Sequence, residues 1–419
     1  MNLLYKRAYT LLMAATWLAA QPACKKTDGY NDIVSDDTSK PGVVTNVRVT
    51  NFNGGAYITY NLPSSKNILY VQAEYKINDH ASRQTKSSFY SDSLTVSGFA
   101  KSQDYTVTLY AVSRAQVKSD PVQITVHPDT PPYLLVLPTI VLSNDFGGVN
   151  IRVTNKSKAN LGIITIQPDA VTKKMEIINQ NYTNQDSINY SIRGYDTTTY
   201  RFGVYITDQW GNISDTVYAN IKPIYEVMMT KSLFKAMKFP SDVGTDFGWE
   251  MPYLWDNNTG SPGFHSTFPS SVPLPKWLTF DMGQSAKLSR YNAWFRGIDG
   301  SNNFLWASGA PQTWVIWGRN TDAVDETLPG DTLALPAVGQ ATPNGWINMG
   351  MYHLPAQPSG LIAPQYTNAD LAYWNAGFPF NFDLNLPKVR YLRFECFTNA
   401  GGSNEFFNMM ELSFWGDPR

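Results

Sequence analysis

The feature that most constrains this chain is a period of two. From Val43 to about Val126, apolar and polar residues alternate in short bursts: Val47-Arg-Val-Thr, Ala56-Tyr-Ile-Thr-Tyr, Leu69-Tyr-Val-Gln-Ala-Glu-Tyr and Tyr105-Thr-Val-Thr-Leu-Tyr-Ala-Val. Successive side chains of a strand point to opposite faces, so such alternation marks strands with one face buried. Pro41, Gly54-Gly55, Pro63-Ser-Ser and Asn78-Asp supply turns between them. Short, regularly spaced strands with no helical stretch predict a β-sandwich.

The pattern then recurs. Tyr200-Arg-Phe-Gly-Val-Tyr-Ile-Thr-Asp-Gln-Trp-Gly-Asn-Ile-Ser repeats the Tyr105 strand, with a turn at Asp208 and Gly211-Asn212. Pro128-Asp-Thr-Pro-Pro breaks any strand between the two copies and is read as a stiff linker. A chain of 419 residues is too long for one core. Domains are expected over 43–128 and 129–223. Both resemble fibronectin type III domains, on the entry Pro41-Gly-Val-Val-Thr-Asn-Val and the strand opened by Tyr105. The resemblance implies a corner tyrosine whose hydroxyl bonds nearby backbone, and spacer roles for both units.

Residues 224–419 differ in kind. Ten of the 12 Trp lie there, enough both to fill a large core and to line a binding face. Leu254-Trp-Asp-Asn-Asn-Thr, Phe264-His-Ser, Pro275-Lys-Trp-Leu-Thr-Phe-Asp-Met-Gly, Ala310-Pro-Gln-Thr-Trp-Val-Ile-Trp-Gly-Arg-Asn, Val389-Arg-Tyr-Leu-Arg-Phe-Glu and Glu411-Leu-Ser-Phe-Trp-Gly-Asp follow in order. In that order they resemble the discoidin, or coagulation-factor type C, fold, which includes the family 32 carbohydrate-binding modules. The expected fold class is therefore all-β: two immunoglobulin/fibronectin-like sandwiches followed by a galactose-binding-like jelly roll.

That resemblance implies two sites. The first is one structural calcium ion, held by Asp256, Thr259 and Glu411 with backbone carbonyls completing the shell; Asn257 stands where the family usually has glycine. The alternative is a metal-free loop in which Asp256 makes an Asx-type turn. The second is a sugar site, which needs an aromatic face for the C–H side of a pyranose and planar polar groups for its hydroxyls. Loop 296–306 offers Arg296, Asp299, Asn302, Asn303, Phe304 and Trp306, and loop 399–408 offers Asn399, Asn404 and Phe406. The alternative for Trp306 and Phe406 is packing within the loops. His265 and His353 are read as structural, the alternative being a pairing with a carboxylate as acid or base. Residues 355–387 depart from the compact family pattern and carry Tyr373-Trp374 as a second possible platform.

The leader sets the expected compartment. Lys6-Arg7 precede a short apolar run, Leu11 to Ala20, which is too short to span a bilayer and reads as a signal peptide over 1–23. Gln21-Pro-Ala-Cys resembles a bacterial lipobox, implying lipidation at Cys24; ordinary secretion is the alternative. Residues 24–42 read as a flexible polar tether. The whole layout is similar to Bacteroidota surface lipoproteins encoded near glycan-uptake systems. It implies an outer-membrane, cell-surface location and uptake proteins as partners. Cys396, within an apolar run, is read as a small core hydrophobe.

A net charge of −1 gives no footprint for nucleic acid. No G-x-S-x-G elbow, H-E-x-x-H or P-loop occurs, and no barrel or α/β domain remains after three sandwiches are allotted. The reading is a non-catalytic lipoprotein binding a glycan or glycoprotein. The first alternative is a protein-binding or structural envelope component, for adhesion or complex assembly; a glycan-active enzyme, which needs only two carboxylates, ranks behind it.

Overall fold

The computed structural model describes residues 35–268 and 272–419. The signal peptide, Cys24 and the first part of the tether lie outside the described residues. The described chain divides into two compact units. The first holds residues up to Pro138 with Ser157–Gly162 and Ile206–Ser214; the second holds Thr139–Lys156, Ile163–Tyr205 and Asp215–Arg419. No helix among the described residues is long and apolar enough to cross a membrane.

The first sandwich is built from β1 (Thr45–Phe52), β2 (Gly55–Asn61), β3 (Ile68–Lys76), β4 (Ser82–Ser88), β5 (Ser93–Ser97), β6 (Tyr105–Ser113) and β7 (Val122–Val126). One sheet runs β1-β2-β5 and the other β4-β3-β6-β7. Strand β2 shows why: Ala56, Ile58 and Tyr60 are buried while Tyr57 and Thr59 face solvent. The Tyr105 hydroxyl accepts the Lys101 backbone N–H at 3.1 Å, as a corner tyrosine should. The Asp208 turn closes on its own carboxylate, which accepts the Trp210 and Asn212 N–H groups at 2.9 and 3.0 Å. The stretch read as a stiff linker runs into a helical turn, α1 (Pro132–Val136), because proline is tolerated at a helix start.

The second sandwich comprises β8 (Val141–Asp145), β9 (Gly148–Thr154), β10 (Leu161–Pro168), β11 (Met175–Thr183), β12 (Ser187–Arg193), β13 (Tyr200–Asp208) and β14 (Val217–Ile221). Its sheets run β12-β9-β8 and β11-β10-β13-β14. Here Tyr200 departs from the corner expectation. Its hydroxyl donates to the Asp196 carboxylate at 2.9 Å, because the preceding turn offers a stronger acceptor than backbone.

The C-terminal sandwich contains β15 (Val227–Met228), β16 (Lys235–Met237), β17 (Phe264–His265), β18 (Lys276–Trp294), β19 (Ile298–Asp299), β20 (Asn302–Asn303), β21 (Pro311–Arg319), β22 (Ile347–His353), β23 (Phe378–Asn381), β24 (Val389–Asn399), β25 (Asn408–Met409) and β26 (Glu411–Asp417). The 19-residue β18 belongs to two sheets. Its first half pairs with β16 and β24, its second with β23 and β26. The switch falls at Gly283, where φ is +71° and a Cβ would sit 2.6 Å from the Leu233 carbonyl oxygen. Only glycine fits there. Leu278, Phe280, Tyr291, Trp314, Phe394 and Phe414 fill the space between the sheets.

Strands β21 and β24 are buried on both faces. A second cluster, including Trp277, Trp317, Trp346 and Tyr391, lies apart from the main core. Within it the wholly buried Arg393 donates to Thr279 Oγ1 (2.9 Å), the Glu326 carbonyl (2.5 Å) and Asp325 (3.2 Å), and Trp317 donates to Glu395 at 2.7 Å. Much of the tryptophan content is therefore interior. Cys396 is also fully buried. The 355–387 insertion forms α2 (Asn368–Asn375), opened by a reciprocal capping box between Thr367 and Asp370. Trp374 is only 2% exposed and donates to the Phe295 carbonyl at 3.2 Å, so it offers no open platform face.

Candidate functional site

Four segments of the C-terminal sandwich bring aromatic and polar groups together. Strand β17 pairs with β25 through His265 and Asn408, which sets His265 beside loop 399–408. The His265 ring stacks on Phe406, with centroids 4.8 Å apart and planes 13° apart. Phe247 meets His265 edge-on at 5.0 Å, and Phe268 meets Phe406 at 4.9 Å. Phe247 is 63% exposed and holds a φ of +60°, a conformation rare for a bulky side chain and a mark of functional sites when the surroundings enforce it.

Arg296, just beyond β18, lies between two more rings. Its guanidinium carbon is 4.8 Å from the Trp249 ring centroid and 4.0 Å from that of Phe304. One Nη donates to Asp299 at 2.7 Å, and Asp299 also accepts the Ser261 hydroxyl at 3.0 Å. Arg296 and Ser261 hold the Asp299 carboxyl below its usual range. The ion pair orients a planar, multi-donor fork against aromatic walls.

Burial holds the His265 imidazole below its usual pKa, and the Ser266 contact works in the opposite direction. Its Nδ1 lies 2.6 Å from the Ser266 carbonyl oxygen, which can only accept, so Nδ1 carries the proton and Nε2 remains an acceptor. Asn408 is buried, and neither its amide nitrogen nor its amide oxygen has a partner among the described residues. Gly309 makes room for this corner: a Cβ there would lie 2.6 Å from Asn408 Nδ2 and 2.4 Å from Phe406 Cε2.

Of the sugar-site residues expected from sequence, Arg296, Phe304 and Phe406 enter this cluster, with Asp299 as the partner of Arg296. Asn399 and Asn404 shape their own loop: Asn399 donates to the Phe406 carbonyl at 2.8 Å, and the Asn404 side chain accepts the Asn399 N–H at 3.2 Å. Asn303 and Trp306 turn to the insertion, donating to the carbonyls of Pro364 (2.9 Å) and Pro355 (2.7 Å). Trp306 also packs against Trp374 with ring centroids 4.6 Å apart. Phe247, Trp249 and Phe268 were not singled out from sequence. An aromatic pair around a loop glycine, Phe247-Gly248-Trp249, is the signal that could have found two of them.

The set Asp256, Thr259 and Glu411 does not fit calcium. Glu411 accepts from the Lys231 ammonium through one oxygen and from the Asn257 N–H at 3.1 Å through the other. Asp256 accepts the Asn258 N–H at 2.8 Å, the Asx-type turn of the metal-free alternative. Calcium needs six to eight oxygen ligands, whereas the Asp256 and Glu411 carboxylates accept from N–H donors and a cation of the chain itself. Among the described residues, no group of three or more His, Cys, Asp or Glu is placed to hold a metal ion.

Three family models match the chain, each described as a domain of unknown function: DUF4959 over residues 41–128, DUF5126 over 129–232 and DUF5000 over 255–416. No curated protein matches. Solved structures similar to the chain include a SusE-like Bacteroides protein, 26% identical, covering 69% of this chain and 100% of that one with a TM-score of 0.41. Another is the family 32 carbohydrate-binding module of Clostridium perfringens NanJ in complex with galactose, 14% identical over 45% of this chain and 98% of that one, with a TM-score of 0.30. A two-domain fibronectin type III segment of chicken tenascin is 12% identical over 43% and 99%, with a TM-score of 0.21.

Proposed function

We propose that this chain is a non-catalytic, cell-surface lipoprotein that binds carbohydrate through the loops of its C-terminal sandwich and supports polysaccharide capture and uptake. The observation that carries the reading is the convergence of two kinds of group on one cluster. Phe247, Phe268 and Phe406 supply aromatic surface for the C–H face of a sugar ring. Arg296 and the Nε2 acceptor of His265 supply planar hydrogen-bonding groups. Few polar anchors on an apolar wall are what a sugar site requires. The leader sequence supports lipid attachment at Cys24 and, with it, an outer-membrane location facing glycan-uptake proteins.

A glycan array probed with the purified mature chain tests this, followed by titration calorimetry of any hit against Phe406→Ala and Arg296→Gln. The reading expects a saturable glycan signal that both variants weaken. Absence of any signal, or unchanged affinity in both variants, would overturn it. Recovery of a protein partner in place of a glycan would favour an adhesive or assembly role.

A further inference from the structure

The corner that the family resemblance assigns to calcium is held by a charge from the chain itself. Strand β15 pairs with β26 through Val227 and Gly416 and through Met228 and Trp415, and the turn Lys231–Leu233 follows at once. That turn brings the Lys231 side chain, 9% exposed, onto Glu411, 1% exposed, across a sequence separation of 180 residues. The ammonium donates to Glu411 Oε1 and, at 3.0 Å, to the side-chain oxygen of Asn257. Asn257 closes the arrangement by giving its N–H to the other Glu411 oxygen at 3.1 Å. It does so at a φ of +70°, which asparagine tolerates better than most residues.

We propose that Lys231 is a built-in cation, standing where a divalent ion would otherwise hold this corner, so that the sandwich is closed by residues 227–233 and not by a metal. The donor inventory supports this. An ammonium has three N–H donors and no acceptor, and it meets carboxylate and amide oxygens here. A divalent ion beside it would face a like charge at close range and compete with it for the same Glu411 carboxylate, where burial strengthens repulsion. Breaking one side of a buried ion pair strands the other charge, so the pair should behave as a unit. This inference stands apart from the sugar reading, because it concerns closure of the sandwich and not its ligand loops.

The test is thermal unfolding of the mature chain in EDTA and in millimolar calcium, with Lys231→Met, Glu411→Gln and the double variant alongside. The wild-type curves should superimpose. Lys231→Met should lower the transition by on the order of 5 °C. The double variant should recover part of that fall, because no charge is then left stranded. A wild-type melting temperature that rises with calcium, as binding to the folded state requires, would overturn the proposal. So would losses in the two single variants that simply add. If Lys231→Met does not fold, the wild-type calcium comparison decides the matter alone.

Discussion

His265 and Phe406 stack face to face, their ring centroids 4.8 Å apart and their planes inclined by only 13°. They come from opposite ends of the C-terminal sandwich sequence. The short pairing of β17 with β25 brings them together by placing His265 across from Asn408. The stack fixes the orientation of Phe406, which otherwise sits on a loop. A ligand ring meeting Phe406 therefore finds a surface already set in place, and little ordering cost opposes binding.

Replacing Phe406 with alanine removes that surface while leaving most of the buried core intact. An aromatic contact of this kind is worth about 1 kcal/mol, so glycan affinity should fall about fivefold. Calorimetric titration checks this. A Kd unchanged from wild type would place the ligand elsewhere.

Arg296→Lys keeps the charge and loses the planar fork. The guanidinium lies between the Trp249 and Phe304 rings and donates to Asp299, an arrangement that a compact ammonium cannot reproduce. Affinity should fall about as far as in Arg296→Gln, on the order of tenfold. If the lysine variant bound as wild type, only charge would matter at this position.

The strands were legible because one buried face leaves a period of two, as in Ala56, Ile58 and Tyr60. The second cluster in the C-terminal sandwich was not, because Trp317 and Glu395 lie on strands covered on both faces, and a strand pattern alone does not tell that its second face is buried too. In the site, Arg296, Phe304 and Phe406 could be picked out as aromatic and planar polar groups within loops. Phe247 and Trp249 could not be joined to them, since their neighbourhood depends on pairings far along the chain. Trp306 shows the opposite difficulty: its loop is correctly located, but the insertion around Trp374 determines where its ring packs. Lys231 carried no local signal at all, its partner being 180 residues away.

Glu395 should make stability depend on pH. Burial raises its pKa to about 8, with Trp317 and Arg393 pulling the other way. One carboxyl oxygen accepts from Trp317 and the other has no partner among the described residues. The folded state thus holds a proton that the unfolded carboxyl releases near pH 4.5. A raised folded pKa gives stability that is fully present below the unfolded value and is lost as pH climbs toward about 8. Melting temperatures should fall across that window in the wild type. Glu395→Gln, which is neutral throughout, should fall less steeply and melt higher than wild type at pH 8. Parallel pH profiles for the two proteins would contradict this.

Trp306→Ala separates packing from recognition. The indole donates to the Pro355 carbonyl and packs against Trp374, so it ties loop 296–306 to the insertion that carries α2. Truncation leaves a cavity and an unpartnered carbonyl. Truncating a fully buried ring of this kind costs about 3–5 kcal/mol, and truncating a half-buried one should cost about 2–3 kcal/mol. The first consequence should be local: residues 355–367 should become sensitive to limited proteolysis before the sandwich unfolds. Glycan affinity should change by less than about fivefold, since under 1 kcal/mol of ligand contact is removed. Strong loss of binding with an unchanged proteolytic pattern would make Trp306 a ligand platform after all. In that case the cluster around His265 and Phe406 would not be the main contact surface.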